Sequence, residues 1–533
     1  MVAINRSQYK IFIPCAGIGS RLSNHCQHIN KTLLPIDNKP ILSHIIDKFD
    51  ASIEIVMSLG YKGNLIVEFL SLAYPDRKFR FIRVDPNDGP ASGLTNAIMC
   101  CKNQLQCPFI FITNDAILLD KYIPTPLEQN WVGYADIEAG ELYRSVGKDP
   151  WNSDIITNIY EKGKHPDLRA YIGVCGINDY ETFWETIGAC KDRDRGEAFA
   201  LNHLKLFGKC FKWLDTGTEE SFNYADKKLR SNDEINILPK QNESIWFCNE
   251  RVIKFSTNRE FIKNRVNRAN ILKGFVPDII CSTDNMYAYN YVHGNVLSGK
   301  NIDTNLFELY LNFITEMWDS QQHINVNLEH FSNTCLKFYK HKTIKRITKY
   351  MDQNNPLDCQ IINGIDTENT IMNLLSLIDW SKLTNGRAGI IHGDLHFENT
   401  IYNSDNKKFK LIDHRQSFGN FINIGDIYYD LAKILHGLIV SHEIIRKNMF
   451  DVKTLGPNEI KIDIMRRQIL LDCERYLYKF CKTNGYNWWK VKIITALIFL
   501  NIAPLHLEPP KYREFLFHLG KLLLFECLKY DQS

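Results

Sequence analysis

Across residues 9–112, short apolar runs alternate with stretches of helical spacing, and few architectures accept that order. Segments 9–14, 53–59, 79–84 and 108–112 read as strands, while 41–49, 64–72 and a stretch around 94–105 read as helices. Strand–helix alternation predicts an α/β fold whose parallel or mixed sheet carries helices on both faces. Ligands in such sheets sit beyond the carboxyl ends of the strands, so the loops that follow strands are where chemistry is expected. The polar stretch 228–243 breaks the alternation and is the expected linker, dividing the chain into residues 1–236 and 237–533. Beyond it, 244–255 has strand patterning and most of the remainder is helical. Leu306, Leu309 and Phe313 are expected on one face of a helix over 305–318, and 462–480 reads as a second long helix. With no internal repeat or heptad run, the two halves read as different folds.

Composition narrows the function classes. A chain of 533 residues has room for two to four domains at about 150 residues each. Lys plus Arg number 64 against 61 for Asp plus Glu, a net +3, which gives no excess charge for a nucleic-acid partner. Fifteen cysteines are scattered without a CxxC pair, so neither a zinc site nor a disulfide framework fits. Cys15, Cys175, Cys210 and Cys335 lie in apolar surroundings and are expected to be buried thiols. The start has no signal-peptide pattern, and the most apolar run, 493–500, is too short to span a bilayer and reads as a core helix. The expectation is a cytoplasmic protein without a membrane span, with self-association into a homo-oligomer left open.

Gly17-Ile18-Gly19-Ser20-Arg21 directly follows the first strand, and Lys31-Thr32-Leu33-Leu34-Pro35 comes soon after. Glycines there let backbone N–H groups approach phosphates, and Arg21 and Lys31 supply cations suited to a triphosphate whose pyrophosphate departs. Asp115 and Asp215 each follow an apolar run. Both are placed to hold magnesium, and a helix cap or a turn is the lesser alternative for either alone.

The run Ala16–Arg21 with 31–35 resembles the signature of the sugar-phosphate nucleotidyltransferases. Four later segments fall in that family's order: DPNDGPASG at 85–93, Thr113-Asn114-Asp115, Glu161-Lys162-Gly163 and Trp213-Leu214-Asp215-Thr216-Gly217-Thr218. The resemblance covers about residues 8–230 and implies a Rossmann-like sheet. It makes Arg21 and Lys31 catalytic, and assigns Ala16, Gly17, Gly19 and Ser20 to the nucleotide phosphates. Asp85, Gly89 and Ser92 fall to the base, Lys162 to the acceptor phosphate, and Asp115 and Asp215 to Mg2+. Asn114 and Gly163 replace the family's usual Gly and Pro, which leaves the acceptor's identity open.

A second constellation lies at His392-Gly393-Asp394-Leu395-His396-Phe397-Glu398-Asn399, with Leu411-Ile412-Asp413 ending another apolar run. Kinase-type phosphoryl transfer needs an Asp to accept the hydroxyl proton, and an Asn and a second Asp to hold magnesium. His396 reads as a loop residue rather than a metal ligand. These residues resemble the aminoglycoside phosphotransferase and choline kinase superfamily, implying a bilobal kinase-like α+β domain over about 242–530. By that resemblance Asp394 is the catalytic base, Asn399 and Asp413 are Mg2+ ligands, Lys254 pairs with ATP phosphates, 286–289 forms the adenine hinge, and Asp430 is structural. No glycine-rich loop lies in 241–251, and His414-Arg415 stands where choline kinases carry Trp-Glu, which argues against choline.

Together the halves imply a bifunctional transferase. A small alcohol is phosphorylated by ATP, and the phosphate is then coupled to an NTP (CTP, UTP or dTTP-like) to give an activated precursor for a surface glycan or capsule. Two alternatives are a choline kinase joined to a CTP:phosphocholine cytidylyltransferase, and a non-catalytic binding or regulatory protein on enzyme folds.

Overall fold

The structure is a computed structural model. It describes residues 9–85, 93–138, 141–163, 165, 167–190, 192, 195–230, 242–297, 302–320, 326–354, 356–506 and 510–530. Two compact units emerge, Met1–Arg259 with Ile280–Tyr291, and Glu260–Ile279 with Val292–Ser533.

In the first unit a nine-stranded mixed sheet runs, edge to edge, Phe79–Arg83, Ile55–Leu59, Lys10–Cys15, Phe109–Ile112, Arg169–Ile177, Trp131–Glu138, Leu206–Cys210, Ile155–Tyr160, Ser145–Lys148. The first four strands are mutually parallel, and Arg169–Ile177 runs antiparallel to Phe109–Ile112. Period-two alternation explains their continuous apolarity. Ile11, Ile13, Ile55, Met57, Ile110 and Ile112 enter one core, and Phe12, Val56, Phe109 and Phe111 enter another on the opposite face. Strand order reverses between Lys10–Cys15 and Phe109–Ile112. The crevice beyond their carboxyl ends is therefore a topological switch point.

Three strands beyond residue 242 also belong to this unit: Glu243–Cys248, Arg251–Ser256 and Met286–Asn290, antiparallel in register. The first two form a hairpin through Asn249 and Glu250, whose φ angles of 51° and 57° suit a two-residue primed turn. Met286–Asn290, expected as a hinge, is thus a strand. The hairpin is seated by side-chain bonds: Trp246 Nε1 donates to the Leu33 carbonyl at 3.0 Å, and Arg251 Nη1 to that of Leu72 at 2.6 Å. Glu68 accepts from Thr283 Oγ1 (2.7 Å) and the Asn285 N–H (3.0 Å).

The second unit is mainly helical, with Ile427–Ile439, Trp488–Ile502 and Pro510–Tyr530 sharing its core. Three expectations are corrected here. Helix Thr304–Trp318 buries Phe307, Tyr310, Leu311 and Ile314, while Leu309 is 54 % exposed. The larger aromatic stripe at 3–4 spacing wins the core. Segment 462–480 is not one helix: Glu459–Ile464 is a strand paired with Phe450–Gly456, and the helix starts at Gln468. The alternation of Ile460 and Ile462 with Lys461 and Asp463 is a period-two signal. The apolar helix around 493–500 is longer than expected. Its 18-residue window Trp488–Leu505, mean hydropathy 1.4, is long and apolar enough to cross a membrane by length and composition, and 67 % of it is buried. In the first unit Cys210 departs from its expectation, being exposed at the end of its strand, whereas Cys15, Cys175 and Cys335 are buried. All fifteen thiols are free.

Candidate functional sites

The first-unit crevice is a cleft of about 630 Å³ lined by Ala16–Arg21, Lys31, Asn114, Asp115, Tyr143, Lys162, Glu197 and Asp215 among others. The chain turns into it after Cys15. Gly19 adopts φ +75°, and a Cβ there would lie 3.1 Å from Cys26 Sγ and 3.2 Å from Lys31 Cβ, so a side chain is excluded on two counts. Lys31 is aimed by its neighbour. Asn30, fully buried, caps the short turn Lys31–Leu33 by accepting from the Thr32 N–H at 3.0 Å and donates to the Tyr61 carbonyl at 2.7 Å.

Lys31 Nζ then donates to Asp115 Oδ2 at 3.0 Å, and Arg21 Nη2 stands 4.0 Å from the same oxygen. Burial opposes ionisation of Asp115, but the Lys31 ammonium, the hydrogen bonds from Lys31 and Thr113, and Arg21 outweigh it and hold the carboxyl below its ordinary range. Asp215 arrives on strand Trp213–Asp215, paired opposite Ala116. Thr216 clamps the junction, its N–H and Oγ1 both donating to the Asp115 carbonyl at 3.0 Å. A Cβ on Gly217 would lie 3.1 Å from Asp215 Oδ1, 3.3 Å from Asp115 Oδ2 and 3.3 Å from Arg21 Nη2. The two carboxylates and the guanidinium thus converge on the space that glycine leaves. Hard carboxylate oxygens, one kept ionised, fit a magnesium ion, and Asp115 and Asp215 are the residues that would hold it.

Two further groups at this cleft lie outside the motifs. Tyr143 donates to Asp215 Oδ2 at 3.2 Å, its hydroxyl pushed up to about 12 by burial and by that carboxylate. Glu197 is buried, accepts from Tyr171 at 3.0 Å and is pushed upward by desolvation, with Oε2 unpartnered among the described residues. Neither follows a recognisable spacing; only a buried polar residue in a loop or at a strand end would have flagged them. Lys162 lines the cleft, and burial, then Arg21 and Arg144, push its ammonium downward. Asp85 is exposed and is not among the cleft-lining residues described, and Gly89 and Ser92 lie outside the described residues. Lys254 is buried on the strand Arg251–Ser256, 6.0 Å from the Tyr289 ring.

In the second unit, Asp430 organises the other constellation. It accepts from the N–H groups of His392 (2.9 Å) and Gly393 (2.7 Å) and from Trp318 Nε1 (3.1 Å), so its role there is structural. Asp394 pairs with Lys433 through Oδ1 at 2.8 Å, and Asn399 Nδ2 donates to its Oδ2 at 3.3 Å. Burial raises the Asp394 carboxyl, but Lys433 and His396 outweigh it and hold it well below the carboxylate range. His396 stands between Asp394 Oδ2 (3.6 Å) and Glu398 Oε2 (3.1 Å). Against desolvation, those carboxylates lift its imidazole to about 9 and the pair lowers Glu398 to about 2. The His396 Nε2 also lies 3.1 Å from Asn399 Nδ2, which ties the ring into the loop. Asp413 takes φ 58° after strand Lys408–Leu411, with Arg265 Nη1 3.8 Å from Oδ1, and the Ile412 N–H donates to the Asn399 carbonyl at 2.8 Å. That backbone bond sets the residue before Asp413 against the turn that carries Asn399.

The first half resembles known proteins. A bifunctional protein GlmU from Methanocaldococcus jannaschii is 27 % identical over 256 residues, 45 % of this chain and 59 % of that protein. An Escherichia coli UTP–glucose-1-phosphate uridylyltransferase is 24 % identical over 147 residues, 23 % of this chain and 47 % of the relative. A UDP-glucose pyrophosphorylase solved with UDP-glucose superposes with a TM-score of 0.35 at 19 % identity, over 41 % of this chain and 97 % of that one. No protein-family profile matches the chain. Its N-terminal region resembles sugar-phosphate nucleotidyltransferases. The chain spans less than two thirds of the curated relatives' length.

Proposed function

We propose that the chain is a bifunctional transferase: the second site phosphorylates a small hydroxylated metabolite with ATP, and the first couples a phosphate monoester to an NTP, releasing pyrophosphate. The observation that carries nucleotidyl transfer is the convergence of Asp115, Asp215 and Arg21 on Gly217, with Lys31 bonded to Asp115, at the switch point of the sheet. The uridylyltransferase among the relatives favours a sugar phosphate as the class of acceptor.

In that cleft a phosphate oxygen of the acceptor attacks the α-phosphorus while the bond to the pyrophosphate oxygen breaks. Lys31 and Arg21 set positive charge where the departing pyrophosphate gathers negative charge. Backbone N–H groups of residues 17–20 offer donors to the phosphates, and Lys162 is assigned to the acceptor phosphate. Bound magnesium would add neutralisation of the crowded phosphate oxygens. In the second unit Asp394 orients the acceptor hydroxyl and takes its proton. A product of this kind suits surface-glycan synthesis.

The test is a metabolite screen with the full chain, ATP and the four NTPs, read by mass spectrometry and pyrophosphate release. A nucleotide-linked product is expected. Absence of both ADP and pyrophosphate across the screen contradicts the proposal.

A further inference from the structure

Beside Asp394 lies a group of cations that the chemistry above does not use. Phe338, Lys342 and Arg346 are spaced four apart along one stripe of the helical segment Leu328–Asn354, which passes through a π-type turn at Lys337–His341. Such turns occur frequently at functional sites. Lys342 Nζ lies 4.2 Å from the Phe338 ring centre, and the Arg415 guanidinium lies 5.0 Å from the same centre. Arg415 is held in place by its own N–H on the His392 carbonyl (2.9 Å) and its Nε on the Ser417 carbonyl (3.0 Å). Lys433 completes the group, 2.8 Å from Asp394 Oδ1.

These cations sense one another. Burial, then Arg415, Arg346 and Lys433, push the Lys342 ammonium down to about 7, and burial with Arg415 pushes Arg346 downward. Among the described residues no carboxylate forms an ion pair with Lys342, Arg346 or Arg415, and Asp394, which meets Lys433 of the group, is also approached by His396. Like charges at i,i+4 destabilise a helix, and half-buried cations without counter-charge are costly. The imbalance is relieved if an anion sits among them, on the side where Lys433 meets Asp394.

We propose that Lys342, Arg346, Arg415 and Lys433 hold the anionic group of the molecule phosphorylated at this site, so that the acceptor is a small hydroxy compound bearing a carboxylate or a phosphate. The proposal rests on the kinase assignment of the second site. In the step itself the acceptor hydroxyl oxygen bonds to the γ-phosphorus of ATP. The bond from that phosphorus to the β–γ bridging oxygen breaks, its electron pair leaves with ADP, and the hydroxyl proton passes to Asp394 and on to water. A quaternary ammonium acceptor such as choline would meet repulsion here.

The full chain is titrated calorimetrically with D-glycerate, sn-glycerol 3-phosphate, glycerol and choline, and ADP release is followed with each. One of the two anions is expected to bind and to be phosphorylated, the pair distinguishing carboxylate from phosphate, with glycerol and choline at least about tenfold poorer. Lys342→Gln should weaken that anion about tenfold while the KM for ATP stays within about twofold, and Lys342→Arg should restore binding. Preference for glycerol or choline, failure of both anions to bind, or an equal loss of ATP affinity in Lys342→Gln overturns the proposal. Lys342-dependent anion binding with no ADP release from any compound upholds the anion site and removes the kinase assignment instead.

Discussion

Asp115 is the residue on which the first site turns, because one carboxylate oxygen is shared between Lys31 and the approach of Arg21. Asp115→Asn removes the charge that draws those cations and would hold a metal. Nucleotidyl transfer should fall by about 100-fold or more with little change in the unfolding midpoint, measured by pyrophosphate release. Asp430 makes a contrasting case. It accepts three N–H donors, and an amide in its place turns NH2 toward at least one of them. Asp430→Asn should cost about 1–3 kcal/mol in denaturant unfolding, because a buried donor is left unsatisfied. His392 predicts a pH effect. Its Nε2 meets the Ile412 carbonyl at 2.9 Å while Nδ1 accepts from the Asp394 N–H, and burial first, then Arg268, lowers the imidazole to about 3 against the pull of Asp394. The folded form therefore binds fewer protons than the unfolded chain between about pH 6.5 and 3, and stability falls as pH drops through that window. Asp426 and Asp430, raised to about 6 by burial, act in the opposite sense. Comparing wild type with His392→Asn isolates the term: the variant should show a shallower loss of stability between pH 7 and pH 5.

At the scale of elements, Gly217 links a paired strand to a helix. It stands between strand Trp213–Asp215 and helix Glu219–Leu229, whose Thr218 cap bonds reciprocally with Ser221. Gly217→Ala should lower nucleotidyl transfer at least about tenfold by displacing the two carboxylates, with stability changed by less than about 1 kcal/mol. Thr218→Ala should instead cost about 1 kcal/mol of stability through loss of the cap, read by thermal unfolding. This is also the scale at which the sequence is most and least legible. Strands Lys10–Cys15 and Phe109–Ile112 were readable because both faces are buried and the runs are continuously apolar. The loops after them were readable because glycine and charge follow a strand directly. The stripe on Thr304–Trp318 was misplaced because Leu306, Leu309 and Phe313 also follow helical spacing, and only the neighbouring helices select Phe307 and Tyr310. The Glu459–Ile464 strand was lost because its alternation abuts a true helix. Tyr143, Glu197 and Lys433 reach their sites through partners 26 to 72 residues away in the chain, which no local pattern encodes.

At the scale of the whole molecule, each compact unit carries its own acidic site: Asp115 with Asp215 in one, Asp394 with Asn399 and Asp413 in the other. The acidic side chains of each site come from one unit, so the two half-reactions should be separable by single substitutions at those residues. The account is tested most directly by assaying Asp115→Asn and Asp394→Asn, full length, for both half-reactions on the metabolite identified by the screen. Asp394→Asn is predicted to lose ADP formation while still joining the supplied phosphate monoester to the NTP. Asp115→Asn is predicted to accumulate the monoester without releasing pyrophosphate. Loss of both activities in either folded variant, or of neither, would contradict two separate transfer sites acting on one metabolite.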